Sequence, residues 1–201
     1  MITAQDKILY VANKLGLTSL KDMQGSTGAV YDVDSDLSGI IFGNATRHAN
    51  PQLTNVTENQ FEVNEALLVE TIAFYVADAT NTITNFQTIY GSNHVIVFDL
   101  IIGNKRVMKD TPVFGAGMPF AFANTANLTT TLGVDKLQVY RPRHQVFMEG
   151  VGILIPPQVQ WTVQYSVFNI VTGAIVAPTA ATKIGCYLFG TKVLLNFNTS
   201  I

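Results

Sequence analysis

Charge is scarce in this chain. Asp, Glu, Lys and Arg make up 13% of its 201 residues, against about 25% in an average soluble domain. The net charge is only −2, so no long-range field steers a polyanion toward it. The stretch from Met1 to Gly16 carries only Lys7 and Lys14 as cations, with Asp6 directly before Lys7. A basic arm for holding nucleic acid is therefore absent, and no nucleic-acid contact is expected. Cys186 is the one cysteine. It cannot form an internal disulfide, which suits folding in a reducing compartment. It lies in the apolar run Ile184-Gly185-Cys186-Tyr187-Leu188-Phe189 and reads as a small core residue rather than a nucleophile.

Long hydrophobic runs are also missing. The longest, about Val95 to Ile102, contains Asp99 and is far shorter than the roughly 20 residues a membrane helix needs. The first residues, MITAQDKILYVANKLG, place charges where a secretory signal would be apolar, so synthesis in a cytoplasm is expected. The sequons at Asn44, Asn55, Asn127 and Asn198 are then chance products of an Asn- and Thr-rich chain.

The hydrophobic share is nonetheless 48% and the mean hydropathy is +0.27. Thr, Asn, Ser and Gln cover the surface in place of ions. Neutral polar groups cost far less to desolvate than charges, so this surface favours extensive protein–protein contact. A chain of this length can bury about 70% of its unfolded surface and needs no staples.

Residues 3–15 carry helical signals. Thr3 with Asp6 forms a capping-box pattern. Ile8, Val11, Ala12 and Leu15 follow at helical spacing, and Gly16 suits the left-handed position after a helix. This stripe must lie on its own domain or on a neighbour, so Ile8, Val11 and Leu15 are candidate assembly contacts. We expect a helical arm over 1–24 and one β domain over 25–201.

From Gly25 to residue 60, small and polar residues suggest loops with short strands at Ala29–Val33 and Gly39–Phe42. Clear strands follow at Leu67–Val76 and Asn93–Ile102, with a turn at Gly103-Asn104-Lys105-Arg106 into Val107 and Met108. Residues 113–127 suggest a long packed loop. Further strands are expected at Leu137–Tyr140, Gln145–Met148 and Val151–Ile155, and a closing strand or strand pair at Ile184–Leu195. In Gln158–Phe168, Val159, Trp161, Val163, Tyr165 and Val167 share one face, the core face. The Gln, Thr and Ser residues between them share the other. Roughly eight strands with little helix imply an all-β antiparallel sandwich or barrel.

Candidate chemical sites are few. Asp32-Val33-Asp34-Ser35-Asp36 alternates carboxylates as some Ca²⁺ loops do. An EF-hand would need Gly and Glu where Leu37 and Gly43 stand, so a solvated loop is expected. His48, His94 and His144 are dispersed and show no metal-binding spacing. No G-x-S-x-G elbow is present, and Gly115-Ala116-Gly117 lacks the residues of a phosphate loop. No catalytic residue, cofactor or metal is expected, and the chain does not read as an enzyme. Arg141 and Arg143, around Pro142, form the densest basic spot and suit an intersubunit salt bridge or a plain solvated corner, ahead of a nucleic-acid contact. Lys105, Arg106 and Lys109 read as a solvated hairpin.

One block carries a resemblance. Glu149–Phe168 (EGVGILIPPQVQWTVQYSVF) has a Gly, an apolar strand ending in Ile-Pro, a short turn and an alternating strand. It is similar to late strands of viral, bacteriophage-like jelly-roll capsid proteins. Phe61–Phe74 looks like an early strand of that family, and Ile184–Gly190 like its closing strand. The resemblance implies a jelly-roll β-sandwich in a homo-oligomeric capsid shell or at a virion vertex. Its partners would be copies of itself and other virion proteins, and the terminal helix would meet a neighbour, a membrane or the genome. A carbohydrate- or receptor-binding β module is the alternative, with Tyr90, Tyr140 and Trp161 as its only aromatic platforms. Of these, Trp161 falls on the core face.

Overall fold

The computed structural model describes residues 3–17, 20, 23–34, 38–43, 54–56, 58–77, 94–112, 151–176 and 183–195. Helix α1 spans Ala4–Leu15. Asp6 N–H donates to the Thr3 hydroxyl at 3.2 Å, and Thr3 N–H donates to the Asp6 carboxylate at 2.8 Å. The expected capping box is thus present, satisfying backbone donors that have no partner inside the helix. Gly16 ends the helix in the left-handed region at φ 70°.

Among the described residues nine strands follow: β1 (Gln24–Val33), β2 (Ile40–Ile41), β3 (Glu65–Ala77), β4 (His94–Ile102), β5 (Lys105–Pro112), β6 (Ile153–Ile155), β7 (Trp161–Asn169), β8 (Ile175–Val176) and β9 (Lys183–Leu194). They build two sheets. The first has the order β1-β9-β3-β6; the second has β2-β7-β4-β5, with β8 also on β7. All the paired strands are antiparallel. Three of these pairs nest around the β4–β5 hairpin: β3 with β6, β2 with β7, and β1 with β9.

The inner faces of both sheets share one core. Leu67, Val69, Ile72, Phe74, Ile184, Cys186 and Leu188 come from the first sheet. Ile96, Phe98, Leu100, Trp161, Val163, Tyr165 and Val167 come from the second. The protein is therefore an all-β sandwich with one short N-terminal helix. The alternation expected for β7 holds: Trp161, Val163, Tyr165 and Val167 are buried, while Gln164 is exposed.

A second, smaller apolar layer lies outside the first sheet. Val11 packs there with Ala66, Leu68, Val193 and Leu195, flanked by Tyr10, Leu15 and Met23. Helix α1 thus covers part of the sheet's outer face.

Two strands depart from what periodicity suggests. Residues 25–28, expected as loop, and Gln24, expected at the end of the helical arm, form the first half of β1. They are paired without a register break from Gln24↔Leu194 to Val33↔Gly185. Gly, Ser and Thr have little drive to extend alone; the ladder offered by β9 holds them. In β3 the register against β9 shifts between Val69 and Thr71. This bulge turns the inward set from Leu67 and Val69 to Ile72 and Phe74. Gly190 lies opposite it, and a Cβ there would run into the Leu68 carbonyl oxygen.

The chain passes from the first sheet to the second between β1 and β2, and buried carboxylates hold that corner. Asp32 accepts from Phe42 N–H at 2.8 Å. Asp34, fully buried, accepts from Gly39 N–H at 2.6 Å, Ser38 N–H at 3.2 Å and the Tyr165 hydroxyl at 3.0 Å. These residues were expected in a solvated loop. The structure corrects this: backbone N–H groups of a tight sheet-to-sheet corner need acceptors, and the two carboxylates supply them from inside.

Candidate functional site

The residues singled out for chemistry do not converge. Asp32 and Asp34 serve the corner, and Asp36 lies outside the described residues, as do His48 and His144. His94 opens β4. Among the described residues, no group of three or more His, Cys, Asp or Glu is arranged to hold a metal ion. Cys186 is completely buried. Burial pushes its thiol well above the ordinary range, and the neighbouring Asp32 charge adds to this. Such a thiol is a poor nucleophile.

A cleft of about 220 Å³ opens beside the start of β3. Glu58, Glu62, Glu65, Gln158 and Lys192 line it, with Phe61 in the wall. Lys192 pairs with Glu65 at 2.9 Å, which offsets part of the acidic charge. Phe61 also stacks on Trp161, with ring centroids 5.6 Å apart. Trp161 itself is 1% exposed, so it lies in the core and offers no surface platform. Its indole N–H has no hydrogen-bond partner among the described residues. Tyr90 and Tyr140 lie outside the described residues.

The candidate assembly contacts separate. Val11 is fully buried against the chain's own sheet, with no surface left for a neighbour. Ile8 and Leu15 are half-buried. Ile8 lies over Gly25, where a Cβ would come within 2.8 Å of its Cδ1. Lys7 pins the helix further by pairing with Glu70 at 2.7 Å, and the Thr191 hydroxyl donates to the same carboxylate at 2.7 Å. What the helix leaves open is Leu9, 45% exposed, followed by Leu17 and Leu20. Arg141 and Arg143 lie outside the described residues. On the β4–β5 hairpin, Arg106 pairs with Asp99 at 3.1 Å and Lys109 with Asp110 at 3.7 Å. The Asp99 carboxylate also accepts from Asp110 N–H at 2.7 Å, where Asp110 has φ 47° and the ladder shifts register.

The β7–β8 hairpin carries a feature that periodicity did not single out. Ile170, Val171 and Ile175 are 58%, 73% and 66% exposed. The turn beneath them is well defined. The Asn169 side chain accepts from Val171 N–H at 2.9 Å and Thr172 N–H at 3.2 Å, and Asn169 N–H donates to the Ala174 carbonyl at 2.9 Å. Three large aliphatic groups exposed together on one defined turn make it a candidate interaction surface. The available signal was the apolar pair Ile170-Val171 beside Thr172-Gly173, where a turn is normally polar.

No family model matches this chain, and no curated protein or solved structure matches it.

Proposed function

We propose that this chain is a structural virion protein, a capsid shell or vertex subunit, built on a jelly-roll β-sandwich. The observation that carries the proposal is the nesting of β4–β5 inside β3–β6, β2–β7 and β1–β9. A long antiparallel ribbon wound on itself into two sheets produces this kind of order, which supports the jelly-roll reading. Lectins and cupins use the same architecture, so the surface must decide among functions.

Here the surface favours assembly. Only 13% of the residues are charged, and desolvating neutral polar groups costs little. The β7–β8 hairpin presents Ile170, Val171 and Ile175 to solvent. Partners in this reading are copies of the chain and other virion proteins, with about 2,000 Å² or more buried per obligate contact. The test is the solution mass by light scattering over a concentration and salt series, with electron microscopy of the same samples. Rings, capsomers or shells are expected. A monodisperse monomer at high concentration overturns self-assembly and favours a decorating or glycan-binding module.

A further inference from the structure

A sandwich has open sheet edges, and unpaired edge strands invite pairing with other chains. Most edges here are guarded. Edge strand β5 carries Lys105, Arg106 and Lys109 and ends at Pro112. Edge strand β6 spans three residues, Ile153–Ile155, and Pro156 and Pro157 follow it. Strands β2 and β8 span two residues each. The second half of β1 is guarded by Asn55. Its side-chain amide donates to the Ala29 carbonyl at 2.8 Å, and its side-chain oxygen accepts from Tyr31 N–H at 2.8 Å. Its backbone N–H donates to the Tyr31 carbonyl at 3.2 Å. A loop residue thus imitates a neighbouring strand.

The first half of β1 has no such guard. Gln24-Gly25-Ser26-Thr27-Gly28 contains no charge and no proline. The parity of the strand shows where its groups point. Ala29 and Tyr31 present theirs to Asn55, away from β9, while Asp34 N–H donates across to Ile184 on β9. Register along β1 is unbroken, and alternate residues of an antiparallel strand face the same side. Gly25 and Thr27 therefore turn N–H and C=O to the free edge. Among the described residues, nothing pairs with those groups. Gln24, Ser26 and Thr27 are exposed.

We propose that this half-strand pairs with the same half-strand of a second copy, antiparallel across a two-fold axis at Ser26. The proposal deepens the assembly reading and rests on it. Asn55 sets one limit, because a partner strand cannot run past Gly28 without displacing it. Within that limit the axis at Ser26 sets Gly25 opposite Thr27 of the second copy, and Thr27 opposite its Gly25. Each such pair exchanges both of its N–H···O bonds. Ser26 then faces Ser26 of the second copy at a close, non-hydrogen-bonded position. The segment is self-complementary, as an isologous contact requires, and no like charges oppose each other. The result is one sheet continuous through both subunits.

Thr27→Pro tests this directly. It removes an N–H that faces the free edge and takes no part in the β1–β9 ladder, a place where an edge strand tolerates proline. The variant is expected to keep its circular dichroism spectrum and to weaken self-association about thirtyfold, the scale of two lost backbone hydrogen bonds. A second pair of variants guards against misfolding. Ser26→Lys sets like charges across the axis and is expected to block association. Mixing it with Ser26→Glu is expected to restore association. Amide exchange at Gly25 and Thr27 should slow as wild-type concentration rises. If wild type assembles and these variants assemble equally well, this interface is wrong while the assembly reading stands. If wild type stays monomeric at every concentration, both fail.

Discussion

At the scale of single residues, the core depends on a few large side chains and close backbone contacts. Trp161 fills the end of the sandwich, 4.5 Å from the Phe42 ring centroid. Trp161→Ala should cost about 3–5 kcal/mol, as buried aromatics do when truncated. Far-ultraviolet circular dichroism in a denaturant series measures it. Trp161→Phe should cost clearly less, because it keeps an aromatic ring in the site and, like the alanine change, removes a buried donor that has no partner among the described residues. Equal losses from both would show that the retained ring does not fill the site. Gly190→Ala forces its methyl into the Leu68 carbonyl. The backbone must move, at about 1–3 kcal/mol, read from the shift in melting temperature. Cys186 should resist a thiol reagent in the folded protein and react fully in denaturant, since burial and a raised thiol pKa both suppress the thiolate. Fast labelling under native conditions would contradict its place in the core.

At the scale of elements, helix α1 is held by a cap, an apolar stripe and an ion pair, each of a different strength. The ion pair Lys7–Glu70 is about one-quarter exposed, at 22% and 29%, so Lys7→Met should cost under about 1 kcal/mol. Thr3→Ala removes the cap and should cost about 1 kcal/mol. Val11→Ala empties a fully buried position and should loosen the helix most, raising its cleavage in limited proteolysis. The cap also responds to acid. The Thr3 hydroxyl, and then the Thr3 backbone N–H, hold the Asp6 carboxyl below the usual carboxylate range. Its contribution is therefore complete above the ordinary Asp value and is lost as the pH falls through the lower folded-state value. A carbon-detected titration of Asp6 should show the lowered midpoint in wild type and one moved back toward the ordinary value, but still below it, in Thr3→Ala, which keeps the Thr3 backbone N–H.

At the scale of the whole molecule, assembly and stability should separate. Replacing Ile170, Val171 and Ile175 with Ser touches side chains that are more than half exposed. Each change should alter stability by no more than about 0.5 kcal/mol. The triple variant should nevertheless reduce particle formation under conditions where wild type assembles. Unchanged assembly would remove the hairpin from the interface and leave the contacts to other surfaces.

Elements whose signals are local can be read directly from the order of the amino acids. The capping box at Thr3 and Asp6, the alternation from Trp161 to Val167, and the Gly103-Asn104 turn each satisfy a rule within a few residues. Burial of Trp161 and Cys186 was legible for the same reason, since each falls on an apolar run or face. Only the tertiary structure decided the rest. Residues 24–28 become a strand because β9 lies beside them, not because of their own propensity. The bulge at Glu70 exists in a pairing register that one strand alone does not contain. Asp32 and Asp34 look solvent-facing from spacing, yet they turn inward because the backbone of a distant corner requires acceptors. The open edge of β1 is decided in the same way: exposure of backbone groups depends on which strands and side chains arrive next to them, and partners distant in sequence leave no periodic trace.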